Sequence, residues 1–163
     1  MSYRIGSGID FHQLSEGRTL MIGGVKIPHH KGAVGHSDAD VLLHAICDAL
    51  LGSLGMGDIG EHFPDSDPAF KNIDSKILLE HTMQLVRKEN FNVVNIDCTI
   101  CLEEPKIKPY KSAMKDIIAA ITGLKPGDVS IKATTTEKMG FAGREEGLVA
   151  MATVLVSRNN TGQ

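Results

Sequence analysis

The sequence predicts a single α+β domain over residues 1–163, with a mixed or antiparallel sheet and helices packed on one face. Three observations carry this. The length of 163 residues suits one domain. Short apolar runs and helical periodicities follow one another in the order β-β-β-α-α-β-α-β-β. A hydrophobic content of 42% is enough for a core, and 4% aromatic residues with no Trp make that core aliphatic and Met-filled.

Tyr3–His12 reads as the first strand, its Ile5 and Ile9 set among Gly6 and Gly8. Leu20–Ile22 and Val25–Ile27 are apolar runs joined by Gly23-Gly24, a hairpin signal. His29–Gly35 reads as a loop. Ser37 or Asp38 can cap a helix running to about Gly52, with Val41, Leu42, Ala45, Ala49 and Leu50 at helical spacing. Gly52, Gly55, Gly57 and Gly60 turn the chain into a long loop that continues to Pro68. Asp74 or Ser75 starts a second helix, ending near Asn90, and Asn92–Leu102 is a strand. Pro105–Pro109 is a basic loop. The third helix spans about Pro109–Thr122, with Pro109 in its first turn and Gly123 past its end. Pro126-Gly127-Asp128 is a turn, Val129–Ala133 a strand, Thr134–Gly147 a loop and Leu148–Val156 the last strand. Residues 158–163 read as a frayed tail.

A net charge of −3, from 17 basic and 20 acidic residues, gives no electrostatic case for nucleic acid or membrane. An anionic ligand therefore needs a local device. No apolar run approaches the roughly 20 residues of a membrane span, and no leader pattern opens the chain. A cytoplasmic protein is expected. Cys98 and Cys101 match C-x-x-C, but residues three apart on a strand face opposite sides, so their sulfurs cannot share an ion.

The chemistry concentrates first on Asp10 and His12. Two apart on a strand, they share one face at roughly 7 Å, a spacing that suits two ligands of one ion, with Phe11 pointing the other way into the core. His44 lies inside the first helix on one stripe with Asp40 and Asp48, either of which could orient its imidazole. Two histidines and a carboxylate with one open position are the pattern of a catalytic rather than a structural zinc site. The alternative is that His12 and His44 are ordinary hydrogen-bonded histidines.

Phosphate-handling features follow. Thr134, Thr135, Thr136 and Glu137, between Lys132 and Lys138, offer consecutive hydroxyls and a carboxylate for a hard cation, or else an ordinary strand end. His36 and Ser37 precede a helix start, where anions are attracted. Arg144 could grip an anion bidentately or pair with Glu145 or Glu146. Asp58, Gly60, Phe63 and Asp65 sit in the long loop, whose carboxylates suit polyol hydroxyls.

Taken together these stretches resemble the 2-C-methyl-D-erythritol 2,4-cyclodiphosphate synthase family. The resemblance rests on Gly8-Ile9-Asp10-Phe11-His12, on Gly35–Ala45 (GHSDADVLLHA), on Gly57–Gly60 with Phe63-Pro64-Asp65, and on Lys132–Lys138 (KATTTEK) with Gly140-Phe141. It implies a zinc-dependent phosphorus–oxygen lyase of the non-mevalonate isoprenoid pathway, using magnesium or manganese as well. The family is a homotrimer with active sites between subunits. Its substrate is 4-diphosphocytidyl-2-C-methyl-D-erythritol 2-phosphate, and its products are the cyclodiphosphate and CMP. On matching positions, Asp10, His12 and His44 resemble the zinc ligands, and Glu137 the ligand of a second divalent ion. His36 and Thr135 resemble transition-state stabilisers. Asp58, Gly60, Phe63 and Asp65 would hold the methylerythritol, and Glu104, Pro105 and Lys106 would frame cytosine. Phe141 and Arg144 resemble residues on the trimer axis, where isoprenoid diphosphates have been proposed to sit.

The implied reaction is intramolecular attack of one phosphate on another, which requires no strong protein base because a phosphomonoester is mostly dianionic at neutral pH. Two other readings of the same residues stand beside it: a zinc hydrolase with Asp40 or Asp48 as base, and a trimeric binding module whose metal is structural.

Overall fold

The first strand outruns its apolar pattern. In the computed structural model, which describes residues 2–64 and 66–158, β1 spans Ser2–Glu16. It pairs on one side with β4 (Lys31–Val34) and on the other with β7 (Gly147–Arg158). The five-stranded sheet has the order β4-β1-β7-β5-β6, where β5 is Phe91–Cys101 and β6 is Val129–Thr134. Only β5 and β6 run parallel, so the expected mixed sheet is present. Leu20–Ile22 (β2) and Val25–Ile27 (β3) form the separate hairpin that Gly23-Gly24 signalled. The expected loop at His29–Gly35 contains β4. Its Gly32-Ala33 is too short a run to show a period, and β1 supplies the pairing.

The helices are α1 (Val41–Ser53), α3 (Ser75–Lys88) and α4 (Lys111–Thr122), with short turns α2 (Ile59–His62) and α5 (Gly140–Gly143) inside the two long loops. A 3-10 turn containing Pro109 leads into α4, and Gly123 ends it in the left-handed conformation at φ 79°. None of these helices is long and apolar enough to cross a membrane. Cys98 is buried and Cys101 partly exposed, and both are free thiols. Of the tail, residues 159–163 lie outside the described residues.

Helix α1 presses on β1 and β7 because glycine permits it. A methyl at Gly6 would fall on the Ala49 carbonyl and 2.7 Å from Ser53 N, and one at Gly8 on the Ala45 carbonyl and 2.8 Å from Ala49 N. The same alternation reverses the expectation for Phe11. Asp10 and His12 share the glycine face, which is the helix side. Phe11 therefore points away from the core and is 55% exposed, beside Phe141 at 6.0 Å. Ile5, Ile9 and Met151 are exposed with it, so the sheet carries an apolar outer face.

The helix begins two residues later than Asp38 suggested and three later than Ser37 did. Asp40 is its N-cap, fully buried, and accepts from Leu42 N and Leu43 N of the helix and from Gly23 N and Gly24 N of the hairpin. Burial pushes its carboxyl above the usual range, against the pull of these amides. One carboxylate thus ties β2–β3 to α1. Asp40→Ala strands all these donors in the core, and a loss of about 3 kcal/mol is expected. Urea unfolding checks it; an unchanged midpoint at equal slope would refute the role.

Candidate active site

Strand β1 and helix α1 bring Asp10, His12 and His44 together. Asp10 Oδ2 lies 3.0 Å from His12 Nε2 and 3.1 Å from His44 Nδ1, and those two nitrogens are 3.2 Å apart. The far sides of both rings are committed. His12 Nδ1 donates to the Val34 carbonyl at 2.9 Å, so Nε2 offers its lone pair inward. Ser75 Oγ donates to Asp38 and stands 2.9 Å from His44 Nε2, so it accepts there, and Nδ1 of His44 also turns a lone pair inward. Ser37 Oγ lies 3.1 Å from the same Nε2 and accepts from Ala39 N.

Three lone pairs therefore converge on one point, which requires a positive charge: a proton on an imidazole, or a cation. A tetrahedral ion with bonds of about 2.0–2.2 Å sets ligand edges of about 3.3–3.5 Å, close to the observed triangle. The donor set fits a divalent metal. Burial raises the Asp10 carboxyl, but its contacts with His12 and His44 outweigh this and hold it down at about 2. His12 shifts upward, because Asp10 prevails over burial.

Neither acid expected to orient His44 does so. Asp40 is spent on backbone amides, and Asp48 accepts from Ile59 N at 2.8 Å, pinning α2. The partners of His44 Nε2 are Ser37 and Ser75 and, through Ser75, Asp38. The sequence offers Asp74 or Ser75 as a helix start, and Asp74 is the cap of α3 and Ser75 its first residue. The contact joins residues 31 apart in sequence, and no local pattern announces it.

These three residues open onto a cavity of about 370 Å³, lined also by His36, Ser37, Gly60 and Phe63. His36 Nε2 is buried there without a hydrogen-bond partner among the described residues. Asp58 caps α2 by accepting from Glu61 N, and Phe63 packs edge-on against Phe70 at 5.5 Å. Asp65 lies outside the described residues.

The other expected site residues stand apart. Pro105, Lys106, Thr134 and Thr135 line a separate cavity of about 110 Å³ with Leu102, Ile107 and Ala133. Asp10 pairs with Ala150, Ala150 with Ile100, and Ile100 with Ala133. The two cavities thus lie at one level of the sheet, three strand spacings or ~14 Å apart. The acids beside the second cavity are turned onto local donors. Glu103 accepts from Thr136 N, and Glu104 lies 3.5 Å from Lys106 Nζ. The Thr136 hydroxyl donates to the Met139 carbonyl, while Thr135 Oγ1 and the exposed Glu137 carboxylate face each other at 3.4 Å. Lys132 pairs with Asp97 instead of with this loop. Of the two acids offered to Arg144, Glu146 takes the guanidinium, bidentately at 2.8 and 3.0 Å.

Comparison with known proteins agrees with this architecture. A curated relative from Bacteroides thetaiotaomicron, named 2-C-methyl-D-erythritol 2,4-cyclodiphosphate synthase, is 56% identical over 159 residues, covering 98% of this chain and all of the relative. The IspF structure from Plasmodium falciparum, a CDP complex, superposes with a TM-score of 0.85 at 32% identity over 98% of both chains. The bifunctional IspDF of Campylobacter jejuni matches with a TM-score of 0.93 at 42% identity, over 97% of this chain and 43% of that one. The sequence model of the YgbB family matches residues 3–157, and with these relatives it shows that the chain belongs to the YgbB family of 2-C-methyl-D-erythritol 2,4-cyclodiphosphate synthases.

Proposed function

We infer that this chain is the cytoplasmic catalytic unit, over residues 1–163, that converts 4-diphosphocytidyl-2-C-methyl-D-erythritol 2-phosphate to 2-C-methyl-D-erythritol 2,4-cyclodiphosphate and CMP in the non-mevalonate isoprenoid pathway. The observation that carries this reading is the inward-facing triangle of Asp10, His12 and His44 beside the unpartnered His36 imidazole in one cavity. Asp10, His12 and His44 would hold zinc, and Glu137 a magnesium or manganese ion. Such ions, when bound, supply Lewis acidity to phosphate oxygens and offset the charge of two approaching anions.

The chain's own residues do the rest. His36 Nε2 has a free valence for a phosphate oxygen, and Ser37 stands beside it. Gly60 and Phe63 present backbone and an aromatic wall to the methylerythritol, with Asp58 and Asp65 for its hydroxyls. Glu104, Pro105 and Lys106 present backbone to cytosine. The Thr134 and Thr135 hydroxyls reach the diphosphate, with Thr136 beside them. Holding the two ends of the substrate in contact contributes up to about 7–11 kcal/mol through proximity. Thr135 and His36, as fixed donors, stabilise charge as it develops.

The two cavities of one chain are half-sites in this reading, joined in a homotrimer with one copy's metal ligands facing another copy's nucleotide pocket. The exposed Ile5, Ile9, Phe11 and Met151 support such packing, since an apolar face of this kind marks an interface. Phe141 and Arg144 would then line the axis, where an isoprenoid diphosphate competes with Glu146 for the guanidinium.

A metal-dependent hydrolase would need a base, and the two acids once offered for it are engaged with backbone amides. The deciding experiment is incubation with the substrate in 18O-water, with and without chelator. Stoichiometric CMP release with no label in the phosphorus product is expected, and chelation should stop it. Label in the product would overturn the reading in favour of hydrolysis.

A further inference from the structure

A second group of metal-ligating side chains lies outside the site described. His29, His30 and Glu145 each bring a ligand atom to within 4.8 Å of the others. We propose that these three residues form a distinct binding site for a divalent transition ion of the zinc, nickel and copper class.

Adjacent residues normally diverge, yet the His29 and His30 rings converge, their centroids 4.3 Å apart and tilted by 57°. The segment leaves β3 at Ile27 and bends before β4, which frees it from strand alternation. His29 Nε2 is buried and has no hydrogen-bond partner among the described residues. A buried polar atom without a partner is costly, and an ion bound at this cluster would supply one. Glu145 is held in place by its backbone: φ is +55°, and its carbonyl accepts from Lys31 Nζ at 3.1 Å. The Glu16 carboxylate stands 3.7 Å from His30 Nε2, available as an outer partner or a fourth ligand.

Two imidazoles and a carboxylate suit borderline ions and disfavour magnesium or calcium, which take oxygen ligands. A tetrahedral ion needs ligand edges of about 3.3–3.5 Å, which the side chains of the exposed His30 and partly exposed Glu145 reach by rotation. The site shares no residue with the Asp10 triangle. Glu16 is four residues past His12 on β1, about 13 Å along the strand. An ion here would link the β3–β4 connection to the loop that carries Phe141 and Arg144, closing a ring between residues 29 and 145.

Copper(II) alone is the probe, with untagged protein and with the Asp10 site disabled by His44→Ala. Equilibrium dialysis should find one equivalent bound. The electron paramagnetic resonance spectrum should show coupling to two imidazole nitrogens. Adding His30→Ala or Glu145→Ala should weaken binding more than about tenfold, since even losing an outer partner costs that much. Failure of His44→Ala to bind copper, or unchanged affinity in both double variants, overturns the site. The wild-type background guards against misfolding of His44→Ala. There His30→Ala, a change at an exposed residue, should lower copper stoichiometry from two equivalents to one, and an unchanged stoichiometry overturns the site as well.

Discussion

His44→Ala is expected to lose its metal and at least about 10³-fold in turnover, while keeping its helix. The imidazole supplies one corner of the triangle with Asp10 and His12, and its removal leaves two ligands where three converge. Lewis-acid stabilisation of a transition state is worth several kcal/mol, and about 4 kcal/mol is already a thousandfold. The fold should survive, because alanine is the better helix former and α1 is anchored elsewhere by Asp40 and by a stripe of fully buried residues. Circular dichroism, elemental analysis and CMP release on one preparation separate these effects. A variant with full metal content and full turnover would remove His44 from the site. One that unfolds would instead make the residue structural.

Gly8→Ala should cost about 3 kcal/mol, which for a chain of this size lowers Tm by roughly 6–12 °C. The added methyl meets the Ala45 carbonyl and the Ala49 amide nitrogen, both helix backbone that cannot rotate aside. Relief requires α1 to lift from β1. His44 stands on α1 and Asp10 on β1, so the same displacement opens the triangle, and metal affinity should fall together with stability. Calorimetry and metal titration check the pair of effects. A Tm within about 2 °C of wild type, with metal affinity retained, would show that α1 does not rest on this glycine as tightly as its backbone distances require.

Much of this was legible in sequence because it is local. Hairpin glycines, the helix start at Asp74 or Ser75 and the Gly123 stop depend on residues within a turn of one another, and each stands where its pattern placed it. The pairing of Asp10 with His12 on one face follows from strand alternation alone. Strand β4 was not legible. It has four residues with glycine and alanine at its centre, and only its registry with residues 13–16 of β1 makes it a strand. Asp40 read as a member of a helical stripe because spacing cannot distinguish a first helical residue from a cap. The difference lies in the amides of Gly23 and Gly24, which come from another element.

By itself, then, the sequence determined the α+β class, the element order apart from β4 and the short turns, and the two segments that bear Asp10, His12 and His44. The tertiary structure alone decided which face of β1 is the inside, and with it the outward turn of Phe11. It alone brought Ser75, backed by Asp38, and Ser37 to His44, and it set the cavity of Pro105, Lys106, Thr134 and Thr135 three strands away from Asp10. The physical reason is range. Alternation and helical period act over a few residues, while facing, orientation and separation arise from contacts between segments that only packing brings together.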